Sequence, residues 1–297
     1  MRAGFVVPYA TELEFVELAR LGERHGWDAV FGWEALFGVE AWVQLGAAAV
    51  ATERIRLGTL LTPASRHRPW DLASRVGSVD RLSGGRVVMS VGLGALHEGW
   101  TAFEPDEGRA TRARKLDECL DVYAGLLGGD PTFRYDGEHY GMEASDFMRP
   151  PPTPQRPHPP VWVVGAVAPA GRRQRSLERA ARWQGLIPAV HGEEGEPRRV
   201  EDFADVTARV RDLRGGLGLP WEGYDVVAEA DSWGAFARLE PPDPRAWEQA
   251  GATWWVESWW DVPPGPDGLA EVRRRVEAGP PDGVGPARRV RPPRPSC

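Results

Sequence analysis

The sequence predicts an α/β fold, a single (β/α)8 TIM barrel, and three observations lead to that prediction. Short apolar runs alternate with helical patterns along the chain, and eight such runs occur. The stretch 52–94 shows the repeating unit most clearly, as a strand, a loop, a helix, a glycine stop and a second strand. The length of 297 residues suits one barrel, which typically needs about 250 residues.

In the first half of the chain, each helix carries a recognisable start or stop signal. Thr11 and Glu14 form a capping box for a helix that runs to His25, and Gly26 closes it. Pro69 suits the first position of the third helix. The predicted strands are 4–8, 27–32, 55–61 and 87–91, and the predicted helices are 11–25, 40–51, 69–82 and 112–127.

The second half contains the insertions that a minimal barrel lacks. We expect one insertion after strand four, at 95–107, and another between strands four and five. The latter includes a hairpin at 133–140 with a type I′ turn at Asp136-Gly137. The remaining predicted strands are 161–165, 185–188, 224–228 and 253–257, and the helices are 175–181, 201–213 and 270–277. We expect a barrel domain over 1–279 and a disordered Pro/Arg-rich tail over 280–297.

Composition excludes several classes of protein. The net charge of −7 comes without a basic stripe, which is evidence against a nucleic-acid partner. Two cysteines are too few for a disulfide framework, and no apolar run is long enough for a signal peptide or a membrane span, so we expect a cytoplasmic protein. The histidines lack acidic or cysteine partners at metal-ligand spacing, so no metal site is predicted.

The candidate catalytic groups are carboxylates that follow predicted strands, because barrel enzymes build their sites at the carboxyl ends of strands. Glu34 follows strand two and is either a base or cofactor ligand, or a solvated loop residue. Glu98 follows strand four and is either a site carboxylate or an ion-pair partner of Arg109 or Arg112. His67, between two arginines, either has a functional role or is a surface histidine, and the second is the commoner case.

Several segments, taken together, resemble the bacterial luciferase-like monooxygenase family, the barrel oxidoreductases that use flavin or the deazaflavin F420. The first 190 residues or so carry these segments in family order. The matching segments are Thr52-Glu53-Arg54-Ile55-Arg56-Leu57-Gly58-Thr59, Arg68-Pro69-Trp70, Asp80-Arg81-Leu82-Ser83-Gly84-Gly85-Arg86-Val87, Val91-Gly92-Leu93-Gly94, Arg114-Lys115-Leu116-Asp117-Glu118, 135–140 and 159–165.

The resemblance implies where a cofactor would bind. A bulged, non-prolyl cis peptide after strand three, at Thr59-Leu60, would support the ring from behind. The cofactor phosphate would meet Gly165-Ala166 after strand five, assisted by Arg172.

Gly92-Leu93-Gly94 would let the backbone approach the ring closely. The same three residues are a poor dinucleotide fingerprint, because its third glycine is missing and His97 stands in that place.

The chain departs from the family after strand two. F420-using relatives commonly carry an Asp-His pair there, whereas this chain has Glu34 and Ala35. The missing imidazole favours FMN over F420 and puts a proton-transfer role at this strand in doubt.

Aromatic residues supply the candidate substrate pocket. Tyr9, Trp33 and Trp100 follow strands one, two and four, and Glu257 and Trp259 lie at strand eight. The tryptophans either line an apolar substrate cavity or belong to the core.

The functional hypothesis is a flavin-dependent monooxygenase that uses reduced FMN and O2 on an apolar organic substrate. The alternatives are an F420-dependent hydride-transfer oxidoreductase and a barrel that binds flavin or another ligand without turnover. A separate flavin or F420 reductase and a homodimer are the partners that the resemblance implies.

Overall fold

Eight parallel strands close into one barrel, which confirms the predicted fold class. The computed structural model describes residues 1–96, 99–167, 173–189, 197–233 and 238–284. Each strand pairs with the next along the chain, and the last pairs with the first. The barrel strands are β1 (Arg2–Val6), β2 (Ala29–Gly32), β3 (Arg56–Thr62), β4 (Val87–Val91), β5 (Val161–Gly165), β6 (Gly185–Pro188), β7 (Asp225–Ala230) and β8 (Trp254–Ser258).

Eight α-helices lie in the described part of the chain, on the outside of the barrel. The Thr11–Glu14 capping box and the left-handed Gly26 at the other end of α1 are both confirmed. A helix that the sequence analysis missed begins at Pro244, with Asp243 as its N-cap. The helices are α1 (Glu12–His25), α2 (Ala41–Ala51), α3 (Pro69–Ser83), α4 (Arg109–Gly128), α5 (Arg175–Arg182), α6 (Val200–Gly216), α7 (Pro244–Gln249) and α8 (Pro266–Ala278).

Two separate apolar clusters form the core. The larger lies between the strands and the helices, and the smaller fills the barrel interior. The interior cluster consists of Val6, Ala29, Phe31, Leu60, Val88, Trp162, Ile187, Val227, Trp254 and Val256. Toward the amino ends of the strands the cluster is aromatic. The Trp162 ring centroid lies 5.6 Å from that of Phe31 and 5.2 Å from that of Trp254. Both indole N–H groups donate to the carboxylate of Asp225, at 3.1 and 2.9 Å.

The predicted hairpin exists, but its turn was wrong. Tyr135 pairs with Met142 and Asp136 pairs with Gly141, so the connection is 137–140 and not a two-residue turn. The cause is Glu118 on α4, whose carboxylate accepts three backbone N–H groups of that connection, at 2.9–3.0 Å. These N–H groups are therefore unavailable to a two-stranded ladder.

A second short ladder, Arg198–Arg199 with Leu239–Glu240, is parallel and was not predicted. Of the predicted tail, 280–284 is described and 285–297 lies outside the described residues, so its disorder stays a prediction. In the described part of the chain, none of the helices combines the length and the apolar composition that a membrane crossing requires.

Candidate active site

The mouth of the barrel, at the carboxyl ends of its strands, has an apolar floor. Leu60 of β3 and Ile187 of β6 belong to the interior cluster, and the partly buried Val164 and Trp260 pack against it. These side chains come from four different strand ends, so they meet only because the barrel closes. The floor offers a planar apolar group a surface on which to lie.

Two buried hydroxyls near this floor have no hydrogen-bond partner among the described residues. Ser90 and Ser258 each lie two residues after a member of the interior cluster, Val88 and Val256, and therefore on the same inward face. Both side chains are fully buried. A buried hydroxyl is normally satisfied, so two unpaired ones at the top of the interior indicate a place for a polar ligand atom.

One charged pair lies beside the floor. Glu229 follows Val227 by two residues on β7, so its side chain is also directed inward. Arg198 donates to its carboxylate at 3.2 Å, and the Trp260 indole N–H donates to it at 3.4 Å. Trp260 in turn packs edge-on against Trp33, with 5.7 Å between ring centroids.

Strand β3 carries a bulge at the mouth. Its register with β4 holds at Thr59 opposite Met89 and resumes at Thr62 opposite Val91, so β3 has one extra residue there. The cis peptide joins Leu60 to Leu61, not Thr59 to Leu60 as predicted. The bond lies one residue later because Thr59 still belongs to the regular ladder, whereas Leu60 and Leu61 do not.

Behind this bulge, Glu34 accepts three side-chain hydrogen bonds. The Trp42 indole donates to Oε1 at 2.5 Å, and the Thr62 hydroxyl donates to the same oxygen at 2.7 Å. Nε2 of His67 lies 2.6 Å from the other oxygen. The carboxylate side chain is only 7% exposed, and that of His67 only 13%. Sequence reasoning treated His67 as a surface residue, and the structure corrects this.

Arg75 determines which ring nitrogen of His67 carries the proton that is donated to Glu34. Nη1 of Arg75 lies 3.4 Å from Nδ1 of His67, and a guanidinium only donates, so Nδ1 accepts and Nε2–H donates to Glu34. Burial by itself would raise the pKa of Glu34. The hydrogen bonds from His67, Thr62 and Trp42 outweigh it, so the pKa is lowered. Glu34 is therefore a weak base with both oxygens occupied.

The family model for luciferase-like monooxygenases matches residues 7–212, which is more than half of the chain. The chain belongs to this family. A relative from Mycobacterium tuberculosis, described as an uncharacterized protein, is 37% identical over 128 residues. The match covers 42% of this chain and spans 42% of the length of that relative.

Solved structures of low sequence identity share the fold. The monooxygenase RslO1 from Streptomyces bottropensis is 22% identical, with a TM-score of 0.68 over 93% of this chain and 96% of that chain. The coenzyme F420-dependent tetrahydromethanopterin reductase from Methanopyrus kandleri is 15% identical, with a TM-score of 0.71 over 94% and 98%. A type II Baeyer–Villiger monooxygenase from Pseudomonas putida, solved with FMN, is 15% identical with a TM-score of 0.59 over 78% and 68%. Structural neighbours thus bind F420 or FMN, and the luciferase-like family comprises oxidoreductases of both kinds.

In this luciferase-like chain, the glycines after β4 accommodate protein side chains. A Cβ on Gly92 would lie 2.8 Å from Cδ2 of Leu61, and one on Gly94 would lie 2.3 Å from the Trp100 ring. Gly94 also has a φ of +77°, whereas Leu93 packs against the outer core. The expected close approach to a cofactor ring stays a prediction, because the neighbours seen here are Leu61 and Trp100.

Replacing Gly94 with Ala is expected to destabilise the fold by about 2–4 kcal/mol, since the left-handed backbone and the overlap with Trp100 both contribute. The matched control is Gly129→Ala, where φ is +90° and nothing lies within 4 Å of an added Cβ. Only the backbone cost of about 1 kcal/mol should remain there. Urea denaturation of both variants measures the difference, and equal losses would contradict the role given to Trp100.

Three predicted pocket residues do not belong to the mouth floor. Trp100 is buried between Gly94 and two guanidinium groups, those of Arg66 and Arg112 at 5.3 and 5.7 Å from its ring centroid. Glu257 and Trp259 are fully buried and point outward from β8, and Trp259 packs in the helix layer at 5.9 Å from Phe5. The structure therefore brings Tyr9 and Trp33 to the mouth region. Trp100 lies at the same end but packs within the protein, and Glu257 and Trp259 face the helices.

The predicted phosphate end is described only in part. The Ala166 N–H donates to the Ser176 hydroxyl at 3.2 Å, and that hydroxyl donates back to the Ala166 carbonyl at 2.8 Å. A Cβ on Gly165 would lie 2.7 Å from Leu186, so this glycine allows close packing of the strands. The predicted Glu98 and Arg172 lie outside the described residues. Over the described ranges, no cluster of three His, Cys, Asp or Glu side chains has the geometry of a metal site.

Proposed function

We propose that this protein is a monooxygenase that binds reduced FMN at the barrel mouth and acts on an apolar organic substrate. The apolar floor formed by Leu60, Val164, Ile187 and Trp260 is the observation that supports this proposal. A flavin ring is planar and largely apolar, with polar atoms along its edge. The floor matches its face, and the unpaired hydroxyls of Ser90 and Ser258 match its polar edge.

The residues present therefore fit a flavin. The β3 bulge at Leu60-Leu61 would support the ring. The phosphate end at Gly165-Ala166 stays a prediction, because the Ala166 N–H donates to Ser176 and Arg172 lies outside the described residues. When bound, reduced FMN supplies two electrons, so that one atom of O2 enters the substrate and the other leaves as water. The chain orients the ring and excludes water, and a separate flavin reductase restores the reduced cofactor.

Charge pairing at the mouth favours FMN over F420. Arg66, Arg173 and Arg198 lie near this end and are paired with Glu104, Glu178 and Glu229 at 3.2, 2.7 and 3.2 Å. F420 carries carboxylates in addition to its phosphate, and a paired arginine is a weaker ligand for an added carboxylate. FMN carries only the phosphate, so it requires fewer of the described arginines as partners.

The second candidate function, hydride transfer with F420, is favoured by one observation. The imidazole that is missing at Ala35 has a counterpart in His67, which the structure places 2.6 Å from Glu34 at the same rim. The absence of a histidine at position 35 is therefore a weaker argument for FMN than the sequence suggested.

Anaerobic titration with reduced FMN and, separately, with reduced F420 tests the proposal. We expect reduced FMN to quench the intrinsic tryptophan fluorescence with a dissociation constant at least tenfold below that of F420. Preferential binding of F420 would favour the second candidate. Binding without O2 or substrate consumption would favour a non-catalytic barrel.

Trp260→Phe is expected to weaken FMN binding about three- to tenfold, because an indole contact with an aromatic ring contributes about 0.5–1.5 kcal/mol. The matched control is Trp221→Phe. Trp221 precedes β7, at the opposite end of the barrel, where its ring lies 4.8 Å from that of Tyr224. The same titration measures both variants, and equal effects would place the cofactor elsewhere than on Trp260.

A further inference from the structure

A separate cleft lies beside the mouth, outside the barrel interior. Its volume is about 540 Å³, which is in the range of small-molecule sites. Three stretches of chain form it: 7–14 from the β1–α1 corner, 33–44 from the β2–α2 connection, and 265–269 at the start of α8. None of the residues that form the mouth floor lines this cleft.

Aromatic side chains dominate the walls. Tyr9, Trp33 and Phe37 all line the cleft, and Tyr9 and Trp33 pack edge-on with 6.4 Å between ring centroids. Phe37 is 83% exposed and Tyr9 is 42% exposed. Large aromatic side chains exposed around one concavity indicate a ligand that covers them.

Two polar side chains of the cleft, Gln44 and Glu14, are already engaged within the protein. Gln44 donates to the Ala10 carbonyl at 2.8 Å, and the Glu14 carboxylate accepts the Thr11 N–H and hydroxyl at 2.8 Å each. Glu14 carries the only charge among the described lining residues. An anionic ligand therefore meets a carboxylate and no cation, which disfavours it.

Trp33 lies between the cleft and the mouth. One side of its indole lines the cleft beside Tyr9, and the ring also packs against Trp260, which contacts the mouth floor. Its N–H donates to the Pro8 carbonyl at 2.5 Å, which fixes the ring between the two spaces. A group bound in the cleft is therefore separated from the mouth by one indole.

We propose that this cleft binds a neutral aromatic group of the substrate, with Trp33 as the residue that sets how far that group lies from the mouth. The assignment of the ligand as a substrate rests on the proposed function, whereas the binding itself does not. Ring contacts with Tyr9, Trp33 and Phe37 supply affinity beyond simple burial. Because the described lining has a carboxylate and no cation, the cleft should bind neutral compounds in preference to carboxylates.

The test is calorimetric titration of the protein, without cofactor, with 2-naphthol and with 2-naphthoate. We expect 2-naphthol to bind at least tenfold more tightly than the anion. Ala35→Leu, which adds a side chain inside the cleft, should weaken 2-naphthol binding at least tenfold. The matched control is Ala270→Leu, an exposed position of α8 next to the lining residue Leu269, and it should bind like the wild type.

Phe37→Ala provides a variant whose folding is not at risk, because that side chain is 83% exposed. It should weaken 2-naphthol binding about three- to tenfold. Wild-type affinity in both Ala35→Leu and Phe37→Ala, or equal affinity for naphthol and naphthoate, would overturn the proposal. The two proposals fail separately, because the FMN titration reports on the mouth and the naphthol titration on the cleft.

Discussion

Glu34→Gln is expected to lower the free energy of unfolding by about 2–4 kcal/mol. The substituted amide must place its NH2 group toward either His67 or the pair formed by Trp42 and Thr62. The Trp42 indole only donates, and Arg75 fixes the His67 tautomer in which Nε2–H donates, so one of these two donors faces the NH2 group in either orientation. A buried donor then faces another donor, and the charge-assisted bond to His67 is lost. The midpoint of urea denaturation measures the change.

The same substitution should change how stability depends on pH. The folded pKa of Glu34 lies below its ordinary value of 4.5, because its hydrogen bonds outweigh the effect of burial. Its contribution is therefore complete above about pH 4.5 and is lost as the pH falls through the lower, folded pKa. Glu34→Gln should lose less stability than the wild type on acidification through this window.

Two comparisons show whether Glu34 affects cofactor binding or only the stability of the fold. Glu53→Gln, at a carboxylate that is 86% exposed, should change stability by less than about 0.5 kcal/mol. Reduced FMN should bind Glu34→Gln at least tenfold more weakly, because Glu34 positions Thr62 and the β3 bulge. Loss of stability with unchanged FMN affinity would show a purely structural role.

The other large effect is expected at Glu257, which is fully buried on the outer face of β8. One of its oxygens accepts the Ser232 hydroxyl and the Trp255 indole N–H, at 2.6 and 2.7 Å. The other accepts the Ser232 backbone N–H and the Trp259 indole N–H, at 2.9 and 3.2 Å. Glu257→Gln replaces one acceptor with a donor, so in either orientation of the amide one buried indole N–H, that of Trp255 or of Trp259, loses its partner. We expect a loss of about 2–5 kcal/mol.

Thermal and urea denaturation measure this loss, and FMN binding per folded molecule should stay unchanged, since Glu257 points away from the mouth. Glu17→Gln is the control, because Glu17 is 58% exposed and its ion pair with Arg273 contributes little. A Glu257→Gln protein as stable as this control would show that its four donors find other acceptors.

The barrel could be predicted because its signals are local. The capping box before α1, the proline at the start of α3 and the glycine stops each depend on a few neighbouring residues, and all three appear in the structure. The hairpin turn was wrong for the opposite reason. Its geometry depends on Glu118, which lies 20 to 22 residues away in sequence from the backbone groups that it binds, and no local pattern reports such a contact.

The site was harder to predict because a barrel strand is buried on both faces. Trp254, Trp255 and Val256 are all apolar and all buried, so alternation in the sequence cannot show which residues face inward. The sequence analysis therefore placed Glu257 and Trp259 in the substrate pocket, whereas both side chains face the helices outside the barrel. His67 was missed because its contact with Glu34 joins two loops. The arginines on both sides of it are typical of a surface loop.

The aromatic side chains that fill the barrel interior at the amino ends of its strands determine how a ligand exchanges with the solvent. Phe31, Trp162 and Trp254 are buried together, and Asp225 fixes both indoles, so the described interior has no passage at that end. Any group that enters the interior must therefore enter and leave at the carboxyl ends of the strands. Under the proposed function, reduced FMN then has a single route of exchange with the solvent, through the mouth.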